Sequence, residues 1–386
     1  MSDSSAVFHR PDIARRLAQQ ILVVRAGSAA ASGIFLAAPR RTGKSTFLRE
    51  DLRPALDNLD AMVVYADLWA NPTADPGTVI VGAIRSELTR NNGVLLRLAK
   101  AAGVDTLKLG AFSFDIDRVG LGKEVSLTDA LVALSDETRR LIVLVIDEAQ
   151  HALTSEAGIA ALFALKAARD ELNSSQHHGL RVVCTGSNRD KLAMLRNSKD
   201  QAFFGAPMVS FPLLGRDYVE WFCTQTDLPF ALEPEQVWPL FVEAGHRPEL
   251  LGAAADMLRF DFEVDERNGS LRFADEVHRQ TEEMNRVSLQ VVRSLTPIQS
   301  AVLRVMAAGK DRYAPFEAAT MQSYCQAQRL AGMPESAIKA DVPGVQQALL
   351  ALQEKKLVWR ATRGVYAVEE PAIIELLRAE GMLEGI

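Results

Sequence analysis

The chain has 386 residues, 48% of them apolar and 24% charged, with a formal net charge of −6. That apolar share supports a large core divided over two or three domains, and the acidic balance excludes a surface coated in basic patches, so any nucleic-acid contact has to be local. No apolar run approaches the ~20 residues that cross a bilayer and no signal-peptide pattern opens the chain, which excludes a membrane partner and predicts a cytoplasmic location.

Residues 11–28 read as a helix with Pro11 in its first turn. The stretch from Gly33 to Thr46 then reads as an apolar strand running into the pattern G-x-x-x-x-G-K-[ST], with Ala38 in place of the first glycine. In such a loop backbone N–H groups cradle a polyphosphate, the lysine reaches the β- and γ-phosphates, and the hydroxyl that follows ligates Mg2+. Ala38, Pro39, Arg40, Arg41, Thr42, Gly43, Lys44, Ser45 and Thr46 are therefore expected to bind ATP, with Ser45 on the metal. Ala38 requires a loop entry compatible with a Cβ. Arg40 and Arg41 are open to three readings: facing the phosphates, facing a partner, or a solvated pair.

Strand-like runs follow at Met62 to Ala66, Leu141 to Ile146, Arg181 to Thr185 and Met208 to Leu213. Helical stretches at 77–102, 127–139 and 156–172 separate them, and this alternation predicts an α/β fold with a parallel sheet covered on both faces. Leu141–Ile146 has the β-branched composition of a strand buried on both faces and ends in Asp147-Glu148. Asp147 is expected in the Mg2+ shell, and Glu148 is placed to take a proton from an attacking water. Between 107 and 121, alternating apolar residues around Gly110 suggest a short hairpin, either a decoration or a partner contact. The three cysteines, Cys184, Cys223 and Cys325, are too far apart for a zinc or disulfide framework, as a reducing compartment would favour.

Beyond residue 213 the pattern turns helical, with candidates at 216–227, 234–244, 247–260 and 273–293. A last unit opens near Thr296-Pro297, with helices at 297–308, 316–331 and 343–356. Two β-like runs around Thr362-Arg363-Gly364 follow, then a closing helix at 371–380: the order of a winged helix-turn-helix. The predicted domains are 1–215, 216–295 and 296–386. Gln346 and Gln347 on the third helix, with Arg360 and Arg363 on the wing, are the candidates for contacting duplex DNA. The unit balances basic and acidic residues almost one for one, less basic than a strong DNA binder, so a protein partner stays open as its ligand.

With these segments in place the chain resembles the AAA+-type ATPases of the STAND and archaeal-ATPase lineage, close to origin-recognition initiators in domain plan. The resemblance rests on the loop Ala38 to Ser45, the Walker B segment ending in Asp147-Glu148, and Thr185-Gly186-Ser187-Asn188-Arg189, which looks like the family's sensor 1. It extends to Ala244 through Leu250, opening a lid helix, and to the winged helix. It implies a parallel-sheet P-loop ATPase core with a helical lid domain and a C-terminal winged helix-turn-helix. It also implies that Asn188 sits beside the γ-phosphate and that Arg247 approaches from the lid. The residues alone also allow Asn188 as a strand-end cap and Arg247 as an exposed arginine at a helix start. Many relatives carry an arginine after the sensor helix; Ala202 to Pro207 has none, and Arg189 and Arg196 are the nearest substitutes for an arginine finger. The implied function is Mg-dependent ATP hydrolysis whose nucleotide state controls assembly of a homo-oligomer on DNA. The alternative is a STAND-like regulatory switch, in defence or signalling, whose winged helix binds protein.

Overall fold

Period-2 alternation in the buried strands sets the architecture. The computed structural model describes residues 7–23, 27–91, 113–114, 119–120, 124–174, 176–197, 199–309, 313–361 and 364–386. In chain order the strands are β1 (Ile34–Ala37), β2 (Met62–Asp67), the short β3 (Ser113–Phe114), β4 (Val119–Gly120) and β5 (Glu124–Val125), β6 (Ile142–Asp147), β7 (Leu180–Gly186), β8 (Met208–Ser210), β9 (Val358–Arg360) and β10 (Tyr366–Val368). The main sheet has five strands in the order β2-β6-β7-β1-β8, all parallel. Phe35, Val64, Leu144, Ile146, Val182 and Cys184 enter the core on one face. Ile34, Leu36, Val63, Val143, Val145 and Val183 enter the core on the other.

The first face is covered by helices Pro76–Arg90, Leu127–Thr138 and Glu156–Leu172, the second by Pro11–Leu22 and the helical rod of residues 44–57. Ala14, Ala18 and Ile21, at helical spacing, meet Phe47, Leu48, Leu52 and Leu56 of that rod. Its middle turn, Leu48–Leu52, is π-wound, a local rewinding that apolar periodicity does not reveal. The first helix stops at Leu22 rather than 28, and the fourth at Arg90 rather than 102. Of the expected 107–121 hairpin, Leu107, Leu109, Gly110, Phe112 and Ile116 lie outside the described residues; the described part is a three-stranded antiparallel sheet, β3-β4-β5.

A separate apolar cluster, including Tyr218, Phe222, Phe241, Leu251, Phe273 and Val277, is built by helices Arg216–Gln225, Pro234–Glu243, Pro248–Arg259 and Gly269–Arg293. Helices Pro297–Gly309, Ala318–Leu330 and Val342–Glu354, the β9–β10 hairpin and helix Pro371–Ala379 make a winged helix around Val302, Tyr324, Leu349 and Leu377. The hairpin serves two cores. Val358, Tyr366 and Val368 pack inside the winged helix, whereas Trp359, Ala361 and Ala367 join the core of the parallel sheet.

Candidate functional site

Parallel pairing brings four strand ends to one edge, with Asp67 opposite Asp147 and Ala37 opposite Gly186. The crevice outside such carboxyl ends, where β1 separates β7 from β8, is where open α/β sheets place ligands. A cleft of ≈ 620 Å³ lies there, lined by Pro39, Arg40, Arg41, Gly43, Lys44, Ser45 and Thr46 together with Asp147, Glu148 and Arg247. Ala38 and Thr42 are buried beneath it, and the Thr42 hydroxyl donates to the Pro39 carbonyl at 2.8 Å.

In this loop the left-handed positions are Arg41 (φ 62) and Gly43 (φ 78); Ala38 is not among them, and it continues the buried run of β1. The first position of the pattern therefore tolerates a Cβ here, while Gly43, capping the helix that starts at Lys44, uses the freedom of glycine.

Lys44 is 5% exposed and its ammonium meets Asp147, with Glu148 Oε1 at 3.3 Å and the Thr185 hydroxyl at 3.3 Å. Asp147 Oδ2 accepts from Ser45 Oγ at 2.7 Å and from the Tyr65 hydroxyl at 2.8 Å, while Oδ1 accepts from Thr185 and from the Glu148 backbone N–H. Burial alone would raise the Asp147 pKa, but the Lys44 charge and the hydrogen bonds from Lys44, Thr185 and Ser45 bring it down to about 2. Glu148 follows the same logic. Burial opposes its ionisation, and Lys44 with the donors Ser187 and Gln150 outweighs burial, leaving its pKa below the ordinary carboxylate value. Ser187 Oγ reaches it at 2.7 Å and Gln150 Nε2 at 2.6 Å. Gly186 makes room for that glutamine: a Cβ there would come within 2.4 Å of Gln150 Oε1.

Three of these polar residues, Tyr65, Thr185 and Ser187, are sites that sequence reasoning missed. Thr185 and Ser187 stand within the segment resembling sensor 1, where attention to the strand's final alternation could have found them; Tyr65 has no local signal. Asn188 is 3% exposed and caps helix Arg189–Ala193, accepting from the Asp190 and Lys191 backbone N–H groups at 3.0 and 3.1 Å. Its Nδ2 donates to the Val368 carbonyl at 2.9 Å, so its side chain joins the sheet to the hairpin and does not line the cleft. Arg247, at the start of helix Pro248–Arg259, lines the cleft, half-buried and 3.8 Å from Glu249. Arg189 is exposed, with Ser210 Oγ at 3.2 Å, whereas Arg196 is engaged by the Ala206 carbonyl of its own loop. Gln346 and Gln347 are exposed on the third helix of the winged helix, Arg360 is exposed with its guanidinium 5.6 Å from the Tyr366 ring centre, and Arg363 lies outside the described residues.

Sheet order, strand-end carboxylates and phosphate loop together define a P-loop α/β fold. Neither a family model nor a curated protein sequence matches the chain. Among solved structures it is similar to the ORC2 protein of Aeropyrum pernix in its ADP form, at 14% identity, covering 99% of this chain and 97% of that one with a TM-score of 0.55. It is also similar to the ORC1 protein of Aeropyrum pernix in complex with DNA, at 16% identity, covering 98% and 95% with a TM-score of 0.43. The likeness to the ORC2 protein shows a shared fold, a parallel-sheet α/β core followed by a helical unit and a C-terminal winged helix. Among the described residues no helix is long and apolar enough to cross a membrane.

Proposed function

We propose that this chain binds ATP with Mg2+, hydrolyses it, and uses nucleotide occupancy to control assembly on duplex DNA, through units spanning 1–215, 216–295 and 296–386. The observation carrying the proposal is the cluster of buried Lys44 and Asp147 with partly buried Ser45 and Glu148 at the carboxyl edge of a parallel sheet. The donor set suits a hard cation: Ser45 Oγ and Asp147 Oδ2 stand 2.7 Å apart as oxygen ligands. A Mg2+ here would be held by these one or two side chains plus phosphate oxygens. When bound, the ion neutralises phosphate charge.

The reaction is in-line attack of water on the γ-phosphorus, governed by positioning and electrostatics. Lys44 exchanges its carboxylate partners for phosphate oxygens. Glu148, ionised at neutral pH and oriented by Ser187 and Gln150, accepts the proton of the attacking water. Arg247 supplies positive charge from the lid, and the exposed Arg189 is the group a neighbouring copy could receive. Lys44→Ala tests the reading: calorimetry should show ATP affinity falling about 100-fold or more, since several charge-assisted hydrogen bonds disappear together. Equal affinity in a folded variant would remove the assignment.

For DNA, Gln346 and Gln347 would enter the major groove. With few cations near the hairpin, the log-log salt slope should be shallow, roughly −2 to −4, in duplex binding by the full-length protein with ATP at two salt concentrations. One observation favours the second reading, a regulatory switch with a protein-binding winged helix: one hairpin face is already covered by the sheet core. Absence of duplex binding at low salt would select it.

A further inference from the structure

The phosphate loop contains two arginines that its pattern does not require, and one of them pairs with the far end of the chain. Arg40 Nη1 donates to Glu370 at 3.1 Å and Nη2 to Glu369 at 3.5 Å. Its guanidinium lies 5.2 Å from the Trp69 ring centre, and its Nε is 3.4 Å from Ser187 Oγ, the hydroxyl that also serves Glu148. The two glutamates differ in setting. Glu369 also binds Lys191 at 2.7 Å, and that side chain is 1% exposed, so this pair pins the end of the hairpin to helix Arg189–Ala193, which follows β7. Burial lowers the Lys191 pKa and Glu369 works against it. Glu370 is half exposed and lines the nucleotide cleft itself.

We propose that Glu370 is a positioning residue for the nucleotide site: it holds Arg40 against the C-terminal unit, so that nucleotide phosphates and Glu370 compete for one guanidinium and nucleotide occupancy loosens the seating of the β9–β10 hairpin. This inference rests on the ATP reading above. An arginine fork is matched equally to carboxylate and phosphate, and a polyphosphate cradled by the same loop carries more charge than one half-exposed glutamate. Glu370 also places a negative charge in the wall of the cleft that the polyphosphate must approach. Coupling of this kind is reciprocal: whatever the hairpin contact costs nucleotide binding, nucleotide costs the hairpin contact. The pin between Lys191 and Glu369 survives, so the loosening is confined to the segment Val368 to Glu370 and the Asn188 bond it receives.

The test uses the full-length protein as wild type, Glu370→Gln, Arg40→Ala and Lys44→Ala. Glu370→Gln should tighten ATP binding about fivefold or more. Amide hydrogen exchange at residues 366–370 of the wild type should accelerate several-fold when ATP is added, and Arg40→Ala should abolish that ATP-dependent difference. If ATP binds the wild type and is lost in Lys44→Ala, yet Glu370→Gln keeps wild-type affinity or exchange at 366–370 ignores ATP, the latch is overturned while the ATP reading stands. If wild type and Lys44→Ala bind ATP alike, the ATP reading itself fails and the latch fails with it.

Discussion

The nucleotide cleft and the β9–β10 hairpin are both built from buried contacts, but of opposite kinds. In the cleft, Lys44, Asp147 and Glu148 form an ionic cluster completed by donors from Ser45, Tyr65, Thr185, Ser187 and Gln150, and removing Lys44 leaves two largely buried carboxylates without their cation. In the hairpin the contact is mostly apolar, Trp359, Ala361 and Ala367 against the sheet core, with ionic pairs only at its border. The first arrangement is a polar cluster converging on one lysine; the second is an apolar joint bordered by the ion pairs of Arg40 and Lys191 with Glu369 and Glu370.

Glu148→Gln should give the largest effect, because it keeps shape and hydrogen bonding but cannot take a proton: ATP binding persists and steady-state phosphate release falls about 10²- to 10⁴-fold. Unchanged release would move the base elsewhere and leave the cleft as little more than a binding site. Trp359→Ala should cost about 3–5 kcal/mol in denaturant unfolding, the range for truncating a large buried aromatic. A loss below about 1 kcal/mol would mean that the hairpin face is not part of the folded core, and the contrast with the cleft would collapse.

Acid titration separates the two regions next. The Asp147 pKa is depressed from 3.8 to about 2. A depressed carboxyl contributes its stability above the unfolded value and loses it as pH falls through the folded value. About 2 kcal/mol should therefore disappear between about pH 4 and pH 2. Urea midpoints at stepped pH should show that slope in the wild type and a flatter one in Asp147→Asn. The smallest effect is expected from Arg360→Ala, exposed with its guanidinium 5.6 Å from the Tyr366 ring centre: stability within about 0.5 kcal/mol of wild type, and a duplex affinity change confined to low salt. A large stability loss there would show that the exposed side of the hairpin is held by packing no weaker than that of the covered side.

The phosphate loop was legible because its function depends on consecutive residues: a strand, a turn and a helix start that one short segment supplies. Asp147 and Glu148 were legible for a related reason, as carboxylates ending a strand apolar on both faces. Tyr65, Thr185 and Ser187 were not, because each reaches the cluster only through strand pairing across β2, β6 and β7. Asn188 illustrates the limit of motif reading: two roles fitted its position, and its side chain turns to the helix cap and the Val368 carbonyl. The hairpin carried a signal that was open to use, since Leu357-Val358-Trp359 and Val365-Tyr366-Ala367-Val368 are apolar at consecutive rather than alternate positions, the mark of strands covered on both faces.

The sequence by itself determined the class of loop, the alternation that makes a parallel sheet, and the helical and winged-helix segments, because these follow from local spacing of apolar, glycine and charged residues. Only the tertiary structure decided which distant side chains complete the cleft and that the hairpin spends its second face on the sheet core. It also decided that Arg40 answers to Glu369 and Glu370, more than three hundred residues away. Those outcomes depend on register and packing between elements, and the energy of a contact between residues far apart in the chain leaves no periodic trace in either segment alone.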